Sequence, residues 1–236
     1  MEECSCGNYN HSLCAKKVPI FSFLSDDELA KIVDMIGHKV YKKGDILCSQ
    51  GEKSDTLFII NEGQVKISKL TKEGKQQIVH IFTSGDFFGE LSLFSNDEIY
   101  NFDAYAISNV KICTLTKQDM DKIIMKNLKI SLKLLQVISK RLAQTENLAQ
   151  NLATNDVEIR IAFMLLEFGE KYGVTVNQGL QINLPINREE MANYVGVTRE
   201  TISRKLSIFE ELGIISLKGN KILIIKQIDT LRSYVE

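Results

Sequence analysis

From about residue 38 to 116 the apolar residues arrive in short runs: Leu57-Phe58-Ile59-Ile60, Val65-Lys66-Ile67, Ile78-Val79-His80-Ile81-Phe82 and Val110-Lys111-Ile112-Cys113. Glycine turns at Gly44, Gly51, Gly63, Gly74 and Gly85 separate them. This rhythm predicts many short strands closed into a β-barrel or jelly roll. Ahead of it, Ser25 and Glu28 form a capping box for a helix whose apolar face is Leu29, Ile32, Val33 and Ile36.

Residues 117 to about 150 contain neither Gly nor Pro, which predicts one long helix. Leu128, Leu132, Leu135 and Leu142 follow a four-three repeat that lacks only its member at Ser139. Such a stripe packs either on the chain's own barrel or on a second copy of itself, and its length favours the second copy. Residues 156–171 read as another helix ending near Gly173, and 174–184 as a strand or hairpin leading to Pro185. The runs 214–217 and 222–225 flank Lys218-Gly219-Asn220-Lys221 and predict a closing hairpin.

Between these hairpins lies the most informative stretch. Asn187 caps a short helix with Met191, Ala192 and Val195 on its buried side, and Gly196 stands where the chain must turn sharply. Thr198 caps a second helix whose apolar side is Ile202, Leu206 and Phe209. Its outer side carries Arg199, Glu200, Ser203 and Arg204, with Thr201 beside them. Arg grips guanine through two acceptors, Glu accepts from the cytosine amino group, and Ser or Thr bonds a phosphate or base edge. A helix start also favours phosphate, and Arg188 on the first helix offers the same contact. These features predict a winged helix-turn-helix that reads double-stranded DNA.

Composition narrows the classes. The 236 residues suffice for two domains, 44% are hydrophobic and 25% charged, and the net charge of -1 excludes a chain that coats nucleic acid by bulk attraction. No secretion signal or membrane-spanning stretch is visible, and three of five cysteines crowd into the first 14 residues. That is no secreted disulfide framework, so the sequence points to the cytoplasm. Three scattered histidines without paired carboxylates offer no catalytic set, so an enzyme is not expected.

The order of parts resembles the CRP/FNR superfamily of bacterial regulators from about residue 18 to the end. Thr198-Arg199-Glu200-Thr201-Ile202-Ser203-Arg204 is similar to that family's recognition helix, and Gly89-Glu90-Leu91-Ser92-Leu93-Phe94 to the signature of its cyclic-nucleotide barrel. The resemblance implies an α+β fold with four parts. These are an N-terminal Cys-containing segment (1–17), a sensor jelly roll (18–116), a dimerisation helix (117–150) and a winged helix-turn-helix (151–236). It further implies a homodimer on a palindromic operator, with RNA polymerase as a partner and Glu200 and Arg204 on the bases. Arg199 matches the base-reading Arg of the cAMP-responsive branch, and Ser203 the corresponding Ser of the oxygen-responsive branch.

The effector pocket implied by the family comprises Gly89, Glu90, Leu91, Tyr100 and Asn101. The cAMP branch places an Arg-Ser pair where this chain has Tyr100-Asn101, and no Arg or Lys occurs from Phe87 to Val110. A phosphate diester needs a cation there, so cAMP is not expected. The cysteines resemble the oxygen-sensing branch, where Cys4, Cys6, Cys14 and Cys113, the last taken as ending its strand, would be the four thiolates of a [4Fe–4S] cluster. A dithiol switch joining Cys4 or Cys6 to Cys113 is a second reading. A third is inert cysteines with another effector, such as a metabolite or a haem-bound gas, or none. Cys48 reads as a buried strand residue. His11 reads as solvated, and neither His38 nor His80 is expected to bind haem.

Overall fold

The computed structural model describes residues 20–22, 24–33, 35–71, 74, 76–90, 99–153 and 156–235. It forms two compact units, residues 1–142 and 143–236, whose boundary falls inside one helix.

The first unit opens with α1 (Asp26–Val33), where Glu28 N donates to Ser25 Oγ and Ser25 N to Glu28 Oε2, the reciprocal cap read from the sequence. Among the described residues eight strands follow: β1 (Gly37–Tyr41), β2 (Ile46–Cys48), β3 (Thr56–Glu62), β4 (Gln64–Leu70), β5 (Gln76–Thr83), β6 (Phe87–Phe88), β7 (Asp103–Ala106) and β8 (Val110–Thr116). They pair antiparallel into two sheets of order β1-β8-β3-β6 and β2-β7-β4-β5, the double-sheet jelly roll.

Strand β3 is apolar at consecutive positions because both its faces are covered. Phe58 and Ile60 join the layer between the sheets, whereas Leu57 and Ile59 face a second layer with α1, Met120 and Ile130. Strand β8 divides the same way: Val110 and Ile112 point into the sandwich, Cys113 and Leu115 away from it. It runs on to Thr116, so Cys113 lies inside the strand rather than at its end.

The Gly- and Pro-free stretch is two helices rather than the single one its pattern suggested, α2 (Lys117–Lys126) and α3 (Leu128–Ala153). The break is Asn127, whose backbone is extended at φ -144 and ψ 91. Its side chain donates to Glu28 Oε1 at 3.0 Å and accepts from Lys129 N at 3.1 Å. A side chain that bonds locally and to a second element replaces the helical bonds lost there.

The second unit contains α4 (Val157–Tyr172), β9 (Gly173–Val176), β10 (Gly179–Asn183), α5 (Arg188–Val195), α6 (Arg199–Glu211), β11 (Ile215–Lys218), β12 (Ile222–Ile225) and α7 (Ile228–Arg232). Its antiparallel sheet has the order β11-β12-β10-β9. The closing helix α7, seated through the fully buried Leu231, carries too few residues to show a period in the sequence.

Leu115 is wholly buried between β8 and the helical layer, so Leu115→Ala is expected to cost about 2–5 kcal/mol. A urea titration checks this: an unshifted midpoint would mean that the layer does not hold the helices to the sheet.

Candidate functional site

The second unit builds its exposed helix from two caps and a glycine. Asn187 Oδ1 accepts from Glu190 N at 3.0 Å while Glu190 Oε2 accepts from Asn187 N at 3.1 Å, which starts α5. Gly196 ends it at φ 76 and ψ 43, the left-handed region, and its N–H donates to Ala192 O at 2.8 Å. Thr198 then caps α6, its Oγ1 accepting from Thr201 N. Ile202, Leu206 and Phe209 are wholly buried, as is Met191 across from them.

That burial leaves Arg199, Glu200, Ser203 and Arg204 exposed together on α6. The Glu200 carboxyl is held below its ordinary range, first by the backbone N–H at the helix start and then by the Thr198 hydroxyl. It is therefore an ionised acceptor at neutral pH. Thr201 is half-buried, with its hydroxyl 3.0 Å from that of Thr198. Arg188 is half-buried too, with Nη1 3.2 Å from Met191 Sδ, and burial lowers its pKa.

Two side chains that brace this helix pair, and a third on α4, were not anticipated. Tyr194 is buried and donates to Glu167 Oε2 on α4 at 2.5 Å; burial, then the Glu167 charge, raises its phenol well above the ordinary range. Lys205 Nζ lies 2.5 Å from Glu158 Oε1 and Lys171 Nζ 3.0 Å from Glu167 Oε1. Tyr194 and Lys205 tie α5 and α6 to α4, whereas the Lys171 pair lies within α4 itself. The one available signal was Tyr194, three residues after Met191 and so on its apolar face.

In the first unit, Gly89 and Tyr100 converge on one carbonyl. Gly89 has φ +89, and a Cβ there would stand 2.5 Å from Thr56 O. The Tyr100 hydroxyl donates to the same oxygen at 3.2 Å, and burial pushes its phenol up to about 12. Asn101 is exposed, and Leu91 lies outside the described residues. Phe58 stacks on Phe88 at 4.8 Å and Phe88 faces Phe82 at 5.8 Å, with His80 on Phe82 at 5.4 Å.

Glu90 is buried, and its partner comes from α3. Arg141 Nη1 donates to Glu90 Oε1 at 2.5 Å and Nη2 to Phe87 O at 2.5 Å. The guanidinium sits 4.4 Å from the Phe87 ring centre and 5.1 Å from that of Phe82. Nothing in the sequence distinguished Arg141 from Lys140 beside it. With Glu90 and Arg141 engaged with each other and no cation from Phe87 to Val110, this donor set does not fit a cyclic phosphate.

Helix α3 shows two sides. Ile130 and Leu134 are buried on the barrel, while Leu128, Leu132, Leu135 and Leu142 are 75%, 62%, 59% and 58% exposed. The leucine stripe is therefore not the side that packs on its own barrel. Cys113 is buried, with Sγ 3.6 Å from His38 Nδ1. Cys48 is buried and its thiol pushed up to about 12, mainly by that burial, which makes it a poor nucleophile. Cys4, Cys6, Cys14 and His11 lie outside the described residues. Among the described residues no three His, Cys, Asp or Glu side chains cluster to hold a metal, and no helix is long and apolar enough to cross a membrane.

Residues 38–127 match the model of the cyclic nucleotide-binding domain and residues 159–234 that of the Crp-like helix-turn-helix domain. The CRP-like cAMP-activated global transcriptional regulator of Mycobacterium tuberculosis is 30% identical over 205 residues, 87% of this chain and 91% of that protein. The chain belongs to the CRP/FNR family of DNA-binding transcription regulators. The cAMP-activated global transcriptional regulator CRP of Salmonella typhimurium is 33% identical to this CRP/FNR protein over 188 residues, 79% of the chain and 88% of the relative. The structure of FixK2 from Bradyrhizobium japonicum, 22% identical, covers 85% of the chain and 98% of its own with a TM-score of 0.75, which bears on the fold alone. These CRP/FNR relatives are regulators of transcription, not enzymes.

Removing one partner of a buried ion pair leaves the other charge uncompensated. Arg141→Met is therefore expected to destabilise the barrel by about 3–5 kcal/mol, whereas adding Glu90→Leu to it recovers most of that loss. Urea denaturation of both variants checks this; equal midpoints for the two would mean that the pair is not a coupled unit.

Proposed function

We propose that two copies of this CRP/FNR chain associate through the exposed leucines of α3 and set two copies of α6 into successive major grooves of a palindromic operator. The observation that carries the reading is the division of α6 into a wholly buried apolar side and an exposed side bearing Arg199, Glu200, Ser203 and Arg204. Arg204 and Arg199 supply forked donors for guanine, and the ionised Glu200 accepts from a cytosine amino group. Thr198, Thr201 and Ser203 bond phosphate or base edges at the helix start, and Arg188 adds a phosphate contact from α5.

In this reading residues 1–17 and 18–116 sense, 117–150 pair, and 151–236 read DNA, in the cytoplasm and together with RNA polymerase. The sensing chemistry is thiolate-based, at Cys4, Cys6, Cys14 and Cys113, and responds to redox state or a bound metal rather than to a cyclic nucleotide. What supports this is the count of four candidate thiolates and the mismatch of the barrel's donors to a cyclic phosphate. A change at the sensor biases the pairing of α3 and so the spacing of the two reading helices, which matches half-sites one DNA turn apart in one state only.

Fluorescence anisotropy on a duplex selected from a random pool tests the reader. Arg204→Ala is expected to weaken specific binding about 10–100-fold, the loss of one forked base contact, with an unchanged urea midpoint. Unaltered binding would overturn the assignment of α6. Replacing Leu132 and Leu135 with Glu is expected to yield a monomer by sedimentation that has lost operator affinity; a dimer of wild-type affinity would overturn the pairing surface. Identical operator binding by oxidised, reduced and metal-loaded protein would defeat the sensing role.

A further inference from the structure

The second unit carries a cavity of about 310 Å³ that the proposed DNA interface does not use, at the lower end of the roughly 300–1,000 Å³ of small-molecule sites. Its floor is the cross-strand pair Leu180 and Ile225, opposite each other in the antiparallel register of β10 and β12. One wall is α4, where Leu166, Gly169 and Glu170 have the i, i+3, i+4 spacing of a single helix face. The other wall is α7, where Ile228 and Arg232 stand four residues apart. Gly169 lets α4 approach the sheet: a Cβ there would stand 3.0 Å from Leu180 Cδ2 and 3.4 Å from Ile225 Cδ1.

Each wall carries one charge, and the two are opposite. Glu170 is exposed and makes no hydrogen bond or ion pair among the described residues. Arg232 is exposed too, and its ion pair with Asp229, at 3.2 Å, lies in solvent, where such pairs hold weakly. A complementary ligand offers an apolar body to Leu166, Leu180, Ile225 and Ile228, an ammonium to Glu170 and a carboxylate to Arg232. Those three parts on one small skeleton make a hydrophobic α-amino acid. The lining side chains are aliphatic rather than aromatic, which favours a branched aliphatic body.

We propose that this cavity binds a free aliphatic α-amino acid of the leucine class, its ammonium on Glu170 and its carboxylate on Arg232. The site lies wholly within the second unit and stands whether or not α6 reads DNA. It is an input separate from the thiolates assigned to the first unit. Helix α7 leads from the cavity wall to the wholly buried Leu231 and on to Tyr234, whose ring meets that of Phe209 on α6 edge-on at 5.3 Å. The bound amino acid therefore holds a wall that shares its packing with α6.

Calorimetric titration of the full chain with L-leucine tests the site. The expected result is one leucine per chain with a negative heat-capacity change, the mark of apolar burial. Two analogues each lack one charge: 4-methylpentanoate has no ammonium and 3-methylbutylamine no carboxylate. Each is expected to bind about 10-fold or more weakly than leucine. Glu170→Gln is expected to abolish the preference for leucine over 4-methylpentanoate alone, and Arg232→Gln the preference over 3-methylbutylamine alone. Both side chains are exposed, so neither variant is expected to shift the ligand-free urea midpoint, whereas leucine raises that of the wild type.

No leucine binding, or equal affinity for all three compounds, would overturn the proposal, the latter showing a plain apolar hollow. Wild-type leucine affinity in both variants would overturn it too. Operator binding is read on the same samples. Protein that binds duplex but no leucine sinks the cavity site and leaves the DNA reader standing; protein that binds leucine but no duplex supports the site and sinks the reader.

Discussion

A carboxylate taken out of water inside a β-sandwich must be met by a cation with several donors, or it does not stay charged. Glu90 is in that position, and the guanidinium of Arg141 meets it with one fork on the carboxylate, the other on the Phe87 carbonyl, and two ring faces against its plane. Because Arg141 comes from α3, satisfying Glu90 fixes where that helix lies on the barrel and which way it is rotated. Ile130 and Leu134 then face inward, and the leucines at 128, 132, 135 and 142 face out. The exposure of the stripe follows from the burial of a charge.

The same pair bears on how far a shared fold carries a shared ligand. The barrel matches the cyclic nucleotide-binding domain across residues 38–127, and Gly89 retains the left-handed turn that lets the backbone approach Thr56. The chemistry around that turn is set by other residues. A phenol bonded to a carbonyl stands at Tyr100, stacked rings fill the sandwich, and Glu90 and Arg141 are joined to each other. Strand pairing and apolar layering hold the architecture up, so the ligand donors are an independent variable.

What could be read from the sequence was whatever short-range spacing determines. The Ser25–Glu28 and Asn187–Glu190 boxes, the Gly196 turn, the Thr198 cap and the short apolar runs of β3 and β8 each need only neighbours a few residues away. What could not be read depends on partners far along the chain. Glu90 and Arg141 are 51 residues apart, Tyr194 and Glu167 are 27, Lys205 and Glu158 are 47, and Cys113 and His38 are 75. The break at Asn127 is of this kind. Its helix-friendly surroundings hide a side chain that bonds Glu28 at a separation of 99. Local spacing shows that Arg141 and Lys140 are both polar helix positions, and only the folded barrel separates them.

The anchoring of α6 has a last consequence. Its hold on the unit comes from Ile202, Leu206 and Phe209 below and from the Lys205–Glu158 pair at the side, while Arg199, Ser203 and Arg204 stand clear in solvent. If α6 reads DNA as proposed, stability and target choice are encoded by different residues of a single helix. A lineage carrying this scaffold could then drift to new promoters by exchanging outward side chains one at a time, without passing through an unstable ancestor.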